Sequence, residues 1–475
     1  MSSVFFQKAF GLLTFFVLAR LLSPNDYGVI AVVLLVTGLL SQLTSISFGD
    51  ALTQRQTEIE TYMNPLWTFE LGRTCLLALG VYAASPWLID FFHVDASFAP
   101  LVQWAGVLLV LPALSNIRQI YLFKELQFKK LFYRDVAGQL VFTFTSIGFA
   151  LWVRADAWAL FSGYVAQYAV VALVSYAIYP AMPGLSAAMT RLKDLFGFAK
   201  WVYGQELLEV MVAQLDKILV GRLLDTTQLG VYSKAKDLAS TATVTLASLM
   251  QKVGFAAFSK LQDRLDKVQE GFRKSVDVLM LTAVPIALLL ALEGGAVVNV
   301  LLGPNWFPIV VPLKIFAFGN LFYAFASLVA PVLSALGKPE IVFRMNAIRI
   351  ILLIPLLYIG ITWGGVIGLA WAIVVAWITT LLYVVWKARA ILQIPKWDFY
   401  PVLTSGGAAC LAVFCADLLF RSTRDGFATV PVQFIQLAFL GILYYAVIAL
   451  VSRRQPQGPY ATAMSVLRQL KVLRR

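Results

Sequence analysis

The stretch VLARLLSPNDYGVIA, residues 17–31, returns in altered form as LVGRLLDTTQLGVYS, residues 219–233. We name these stretches the first echo and the second echo. At an offset of 202 residues their Arg-Leu-Leu triplets coincide and Gly28 falls on Gly230. Locally, the glycines permit a tight turn between helices, and the arginines anchor helix ends at lipid headgroups. Neither local role explains why the pattern recurs, so the chain contains an internal repeat.

The composition is that of a membrane protein. Of the 475 residues, 60% are hydrophobic and 13% are charged, and the mean hydropathy is +0.80. Soluble domains carry about 25% charged residues. The net charge of +13 lies in short gaps between apolar stretches. It therefore indicates membrane orientation, and nucleic acid is not an expected partner.

We predict an all-α polytopic membrane protein with about fourteen transmembrane helices. The first apolar segment carries Lys8 and lacks a small-residue cleavage site, so it is expected to be a retained span rather than a signal peptide. The predicted segments are 4–22, 27–48, 65–84, 100–117, 136–153, 158–179, 201–222, 230–255, 275–292, 312–335, 346–363, 366–386, 400–420 and 433–451.

Lysine and arginine are distributed unequally between alternate gaps. One set of gaps, together with the C-terminal tail, holds 26 of these residues, and the other set holds 5. Positive residues favour the cytoplasmic side of a membrane. Both termini are therefore predicted to be cytoplasmic, and the turns of both echoes are predicted to face outward.

Six predicted spans separate the echoes, so both halves enter the membrane in the same direction. This predicts parallel repeats related by an axis along the membrane normal, a design of transporters that alternate access to a site between the repeats. We expect two six-helix lobes, residues 1–190 and 191–390, around a central cavity. Residues 391–475 would add two extra C-terminal helices and a basic cytoplasmic tail.

The sequence offers little for metal or covalent chemistry. It has one histidine and three cysteines, and neither a phosphate-binding loop nor an H-E-x-x-H pattern. We therefore expect no metal site, no cofactor and no catalytic residue. A membrane polymerase or ligase would need a long outer loop with catalytic Arg or His residues. The short outer loops and the lone His93 argue against such an enzyme.

Four motifs match a known pattern in order and spacing: ARLLSPNDYGVIA at 19–31, GDALTQR at 49–55, DKILVGRLLDTTQLGVYSKA at 216–235 and LLGPNWFPIVVPLKI at 301–315. Along nearly its whole length the chain resembles the Wzx-like polysaccharide-transport flippases of the multidrug/oligosaccharidyl-lipid/polysaccharide exporter superfamily. One departure is that the segment 191–201 has no counterpart before the first span, so the start of the chain is expected to be short relative to the family.

This resemblance implies a function. The protein would flip an undecaprenyl-pyrophosphate-linked oligosaccharide, a repeat unit of exopolysaccharide, capsule or O-antigen, across the bacterial inner membrane by alternating access. Its expected partners are that lipid-linked oligosaccharide, membrane lipids and a polysaccharide polymerase or assembly machinery. The alternative is a cation-coupled multidrug or small-molecule exporter of the same fold, whose cavity would be mainly apolar.

The seventh predicted span is unusually charged, with Glu206, Glu209, Asp216 and Lys217. Four such residues would cost about 10–14 kcal/mol if they faced lipid. The apolar residues of the span return only about 3–6 kcal/mol. The three carboxylates lie along one helical face. We expect that face to line a water-filled cavity, where the carboxylates are candidates for coupling to an ion gradient.

The remaining site candidates follow from the chemistry of the implied substrate. A pyrophosphate needs Lys or Arg contacts, and a glycan needs hydrogen-bonding groups and aromatic faces. The cationic candidates are Arg73, Lys217, Lys234, Lys236 and Lys8, with Glu70 beside Arg73 as a further cavity carboxylate. The aromatic candidates are Trp67, Tyr203 and Tyr232.

A structural alternative for the same charges stays open. Glu70 with Arg73, and Asp216 with Lys217 or Lys234, could be internal ion pairs that hold helices together. Two further segments are predicted to lie at the membrane surface. Residues 258–274 are expected to form a cytoplasmic amphipathic helix, and residues 294–309 an outer segment with Trp306 and Phe307 at the interface.

Overall fold

The computed structural model describes residues 2–44, 59–125, 127–186, 188, 213–393, 400–422, 430–453 and 458–465. The regular secondary structure of these residues is helical. The eleven long helices are α1 Ser2–Ala19, α2 Pro24–Thr44, α3 Glu60–Phe91, α4 Phe128–Trp152, α5 Ala157–Ile178, α6 Thr226–Lys260, α7 Leu265–Leu301, α8 Val310–Ala335, α9 Pro339–Leu392, α10 Tyr400–Ser422 and α11 Val430–Ser452.

These helices confirm an all-α polytopic membrane protein. Within the described residues, nine helical stretches are long and apolar enough to cross a membrane, and Phe6–Ala19 and Thr404–Phe420 are shorter apolar helices. Helices suit this role because lipid offers no hydrogen-bond partner to an exposed backbone. The predicted segment 201–222 lies mostly outside the described residues, and fourteen crossings stays a prediction.

Helix α9 contains both of the predicted membrane segments 346–363 and 366–386. Gly364 and Gly365 have non-helical dihedral angles, with φ of 54° at Gly365, a value that favours glycine. Beyond them the chain folds back closely, since a Cβ added at Gly368 would lie 2.1 Å from the carbonyl oxygen of Gly360. The predicted boundary between segments 346–363 and 366–386 is therefore a tight helical hairpin.

The chain divides into two compact units, Met1–Ser233 and Lys234–Arg475. In the first unit α1 packs on α4 and α4 on α5. The α4–α5 contact is close because Gly163 of α5 has no side chain: a Cβ there would lie 1.9 Å from the hydroxyl oxygen of Ser146. Small residues allow such close packing of membrane helices. The predicted lobe boundaries at residues 190 and 390 stay a prediction.

In the second unit α8 packs between α7 and α9, and the pair α10–α11 packs on α7. The α7–α11 contact is largely apolar, with Val284, Leu440, Tyr444 and Ile448 all buried in one cluster. Polar side chains also contact α7 at several positions along its length.

Two expectations about surface segments are wrong. Residues 258–274 do not form one helix, because α6 ends at Lys260 and α7 begins at Leu265 after a turn. In segment 294–309 Trp306 is 0% exposed and so does not face lipid headgroups, whereas Phe307 is 45% exposed. The amphipathic pattern of residues 258–274 continued across the turn between α6 and α7, so it did not reveal the break. Trp306, which follows Gly303 and Pro304, packs in the protein interior.

Candidate functional site

The two echoes are in direct contact at the start of α2 and the start of α6, within the first unit. A Cβ added at Gly28 would lie 1.7 Å from the carbonyl oxygen of Thr226. A Cβ at Gly230 would lie 2.0 Å from the carbonyl oxygen of Pro24. The offset of 202 residues maps Pro24 onto Thr226, so the contact is reciprocal, as at a two-fold axis. Glycine is required at both positions because the backbones touch.

Side chains reinforce this crossing. The Thr226 hydroxyl lies 2.5 Å from the Asn25 Oδ1, to which it donates. The Arg222 Nη1 donates to the carbonyl oxygen of Phe91, 3.3 Å away, at the end of α3. Its guanidinium also lies 4.9 Å from the centre of the Phe91 ring. A cation at a helix C-terminus is stabilised by the helix dipole, so Arg222 ties the second echo to α3.

Asp26 of the first echo is a buried capping residue. Its Oδ2 accepts hydrogen bonds from the backbone N–H and the hydroxyl of Ser23, at 2.8 and 2.7 Å. Its Oδ1 accepts from the backbone N–H of Ala157 at 3.1 Å. One carboxylate thus caps α2 and also satisfies the first turn of α5. Asp26 therefore fixes the direction in which the first echo enters α2.

Glu70 and Arg73 form an ion pair on α3, as the spacing of three residues allows. The Arg73 Nε lies 3.1 Å from the Glu70 Oε2, and the Arg73 Nη2 donates to the same oxygen. The Arg73 Nη1 donates to the Ser41 carbonyl oxygen at 3.4 Å and to the Thr44 hydroxyl. The Arg73 side chain is 12% exposed and the Glu70 side chain 25%.

This geometry favours a structural role for Arg73. Three of its nitrogen atoms already donate to α2 and α3, and the guanidinium sits at the C-terminal carbonyls of α2, where a cation is stabilised. Sequence reasoning found the pair but missed Ser41 and Thr44, which carry no charge and lie about thirty residues away in the chain. Arg73 therefore positions the end of α2, and a pyrophosphate contact through it stays a prediction.

Asp216 is buried, with 4% of its surface exposed. It accepts a hydrogen bond from the Tyr232 hydroxyl and a second from the backbone N–H of Lys217 at 2.8 Å. The prediction that Tyr232 stacks on a sugar is wrong for this structure, because the Tyr232 side chain is 0% exposed. Its hydroxyl instead donates to the carboxylate of Asp216, which lies in the helical residues 213–223 before α6.

The other predicted site residues are spread over both units. Lys8 is exposed on α1, and Lys217 is half-buried. In the second unit the Lys234 Nζ lies 3.7 Å from the Asp237 Oδ2, and Lys236 is half-buried. The site residues Glu206 and Glu209, and the aromatic Tyr203, lie outside the described residues. The structure thus brings Glu70 and Arg73 together directly, and the shared site stays a prediction.

The fold defines a class: an all-α, multi-pass membrane protein. Residues 17–311, more than half of the chain, match the protein-family model described as "Polysaccharide biosynthesis protein". The chain belongs to that family.

Two curated relatives extend this result. The lipopolysaccharide biosynthesis protein WzxC of Escherichia coli (strain K12) is 24% identical over 364 residues, which cover 75% of this chain and 73% of WzxC. The succinoglycan biosynthesis transport protein ExoT of Rhizobium meliloti (strain 1021) is 23% identical over 453 residues, which cover 92% of this chain and 88% of ExoT. The resemblance to Wzx-like transport proteins is confirmed.

A solved structure shares the fold. The lipid II flippase MurJ, in an inward closed conformation, matches with a TM-score of 0.70 over 95% of this chain and 98% of MurJ. Sequence identity in that match is 14%, so it establishes the architecture and not the substrate. The shared architecture agrees with the predicted all-α polytopic fold.

Proposed function

We propose that the protein moves an undecaprenyl-pyrophosphate-linked oligosaccharide from the inner to the outer leaflet of the bacterial inner membrane by alternating access. It acts as a transporter, not as an enzyme, and both of its termini lie in the cytoplasm. A polysaccharide polymerase or assembly machinery at the outer face receives the delivered oligosaccharide.

The observation that carries this proposal is the reciprocal crossing of the echoes. Alternating access needs an element that closes one side of the membrane and can separate again. The crossing lies in turns poor in lysine and arginine, on the side assigned outward by charge. The contacts at the crossing are the close backbone approach at Gly28 and Gly230 and the hydrogen bond from Thr226 to Asn25. Such contacts can part without breaking a buried ion pair.

The substrate class is supported by the relatives. One is named a lipopolysaccharide biosynthesis protein and another a succinoglycan biosynthesis transport protein, and the structural neighbour is named a lipid II flippase. For a pyrophosphate the chain offers Lys8, Lys217, Lys234 and Lys236, and ammonium groups bind phosphate oxygens through charge-assisted hydrogen bonds. Arg73 supports these contacts through its hold on α2.

The cavity carboxylates have a separate role. Glu70 neutralises Arg73, and Asp216 is held by Tyr232. Together with Glu206 and Glu209 they are the candidates through which an ion gradient would act. Replacing Asp216 with Asn tests this role, because the charge is lost while the one remaining side-chain oxygen can still accept from Tyr232, at the expense of the bond from the Lys217 N–H.

The decisive experiment uses purified protein in vesicles that contain undecaprenyl pyrophosphate linked to a fluorescent oligosaccharide. A membrane-impermeant reductant bleaches only the label in the outer leaflet, so transport is measured as bleaching of the inner pool. Wild type is expected to expose that pool, and Lys8→Gln and Lys217→Gln to slow the process. Arg154→Gln is the matched control, since Arg154 pairs with Asp156 in an outward loop.

The same vesicles distinguish the exporter alternative. Movement of ethidium down or against a proton gradient, without movement of the labelled oligosaccharide, would contradict the proposed function. Equal rates for the two Lys variants and the Arg154 control would contradict the lysine contacts while leaving the flippase proposal in place.

A further inference from the structure

Helix α7 is interrupted twice within the bilayer. Pro285 lies inside it, and Glu293 has non-helical dihedral angles, with φ of −106° and ψ of 24°. A proline has no backbone N–H, so the carbonyl of the residue four positions earlier, Leu281, loses its helical partner. In lipid such a carbonyl must find another donor, because no water is present.

Helix α11 supplies that donor. The Tyr445 hydroxyl donates to the Leu281 carbonyl oxygen at 2.9 Å, and the adjacent Tyr444 hydroxyl donates to the Met280 carbonyl oxygen at 2.8 Å. Tyr444 is 1% exposed and packs in the α7–α11 cluster, whereas the Tyr445 ring is 49% exposed. Two consecutive tyrosines thus bond to two consecutive carbonyls beside the proline.

The contacts continue along the rest of α7. The Gln436 Nε2 donates to the buried Glu293 carboxylate at 3.1 Å, and the Asn299 Nδ2 donates to the Gln433 Oε1 at 3.3 Å. Below the proline, the Thr462 hydroxyl donates to the Asp277 Oδ2 at 2.6 Å. From residue 277 to residue 299 a helix rises about 33 Å, so these contacts are spread along the C-terminal two thirds of α7.

The donors and acceptors of this set come from α11 and from the segment after it, which lie outside the repeat. The register of two antiparallel helices is fixed when specific side-chain contacts form at several positions along their length. Here Gln433, Gln436 and the tyrosine pair face Asn299, Glu293 and the carbonyls at 280–281 in the reverse order. Movement of α11 along α7 would break all of these contacts at once.

We propose that Tyr444 and Tyr445 are positioning residues that set the bend of α7, so that the C-terminal helices brace the second unit while substrate moves. Tyr445 acts on the carbonyl freed by Pro285 and Tyr444 on the carbonyl before it, and neither acts on substrate. This inference rests on the proposed function and adds to it a role for the helices outside the repeat.

The test is a double-mutant cycle between Tyr445 and Pro285. Tyr445→Phe keeps the ring and removes the hydroxyl, and is expected to slow flipping per folded molecule by about 2- to 10-fold, the equivalent of one hydrogen bond. Pro285→Ala restores a backbone N–H to the Leu281 carbonyl. In that background Tyr445→Phe is expected to have no further effect, so the two changes are coupled.

A second readout reports the bend directly. Spin labels at the exposed positions 274 and 305, on a background without native cysteines, measure the distance across Pro285. Tyr445→Phe is expected to shift or broaden that distance, and the double variant to match Pro285→Ala alone. Tyr358→Phe is the matched control, because this exposed tyrosine on α9 should change neither rate nor distance.

The inference is overturned if Tyr445→Phe flips at the wild-type rate, if its effect is the same in the wild-type and Pro285→Ala backgrounds, or if only the yield of folded protein falls. If wild type moves no labelled oligosaccharide, the proposed function fails instead. In that case the spin-label distances still decide whether the brace exists.

Discussion

Helices α3 and α7 occupy equivalent places in the repeat, since the offset of 202 residues lays one over the other, yet they satisfy their polar groups differently. In α3, Pro86 frees the carbonyl of Tyr82, and the Ser85 hydroxyl of the same helix donates to it at 2.7 Å. In α7, the donor for the freed carbonyl comes from Tyr445 of α11.

The charged side chains show the same difference. Glu70 of α3 is neutralised by Arg73 one turn away in the same helix. The buried carboxylates of α7, Asp277 and Glu293, receive hydrogen bonds from Thr462 and Gln436, far along the chain. The carbonyl freed by Pro86 and the Glu70 carboxylate thus find partners within α3 itself. The corresponding groups of α7 depend on helices that the repeat does not contain.

Deleting residues 394–475 should have the largest effect, because it removes the helices on which α7 depends. The deletion removes five polar partners of α7, each worth about 0.6–2 kcal/mol in a membrane protein, together with the apolar α7–α11 packing. The total approaches the whole stability margin of about 5–15 kcal/mol. We expect loss of protease-resistant, monodisperse protein in detergent. Deletion of 466–475 alone is the control, and a fully resistant 394–475 deletion would contradict the dependence of α7 on these helices.

Glu70→Ala should have the next largest effect, because it leaves the nearly buried Arg73 without a counter-charge. Breaking one side of a buried pair costs about 3–5 kcal/mol, measured here by thermal unfolding in detergent. Glu70→Gln combined with Arg73→Met should recover most of this loss. At the place in α7 equivalent to Arg73 stands Ser275, and Ser275→Ala should cost less than about 1 kcal/mol. Equal losses for Glu70→Ala and the double variant would argue against the pair.

Gly28→Ala and Gly230→Ala test the reciprocal backbone contact between the two echoes. Each new Cβ would overlap a backbone oxygen, and such overpacking costs about 1–3 kcal/mol. Because the contact is reciprocal, the two substitutions should destabilise it equally and should raise labelling of a cysteine at Asn25 by an impermeant reagent. Gly11→Ala is the control, since a Cβ there meets no atom within 4 Å. Unequal effects would show that the crossing is not symmetric in energy.

Ser85→Ala sharpens the comparison between the proline carbonyls. It removes the local donor to the Tyr82 carbonyl, and we expect a loss near 0.6 kcal/mol, about the average for such contacts in membranes. Tyr445→Phe should cost a similar amount of stability. It should also change transport, because the bond it removes joins α11 to α7, whereas the Ser85 bond lies within α3. Thermal unfolding and flipping measured on both variants separate the two effects.

The smallest effect is expected at Glu270, on the exposed first turns of α7. Hydrogen bonds from Lys274 and Lys267 lower the pKa of Glu270 to about 2. A lowered folded-state pKa stabilises the protein above the unfolded pKa, and this stabilisation is lost as the pH falls toward 2. Exposed pairs are worth about 0.2–1 kcal/mol. Glu270→Gln should therefore lower the melting temperature slightly and by the same amount from pH 6 to pH 8.

Much of the fold was predictable because apolar length and repeat spacing are local or periodic signals. The offset between the echoes predicted an internal repeat but not their contact, and the spacing of three residues predicted the Glu70–Arg73 pair. The membrane segments were predictable because each must carry enough apolar residues to cross the bilayer.

The remaining features depend on contacts that no short pattern encodes. Nothing in the sequence around Pro285 indicates that Tyr445, 160 residues later, bonds to the carbonyl it frees. Trp306 and Tyr232 were predicted at a surface or facing substrate, and both are fully buried. Aromatic residues suit lipid interfaces, sugar sites and packed cores alike, so only their neighbours in three dimensions distinguish these roles.

The hydrogen bond at the echo crossing also has no mirror image. Exact two-fold symmetry would pair Thr227 with position 24, but that position is Pro24, which has no hydroxyl group. The contact between Asn25 and Thr226 therefore acts as a one-sided latch, worth about 0.5–1.5 kcal/mol, or at most a few times the thermal energy. A hydrogen bond of this strength breaks and re-forms by random thermal motion, without an external source of energy.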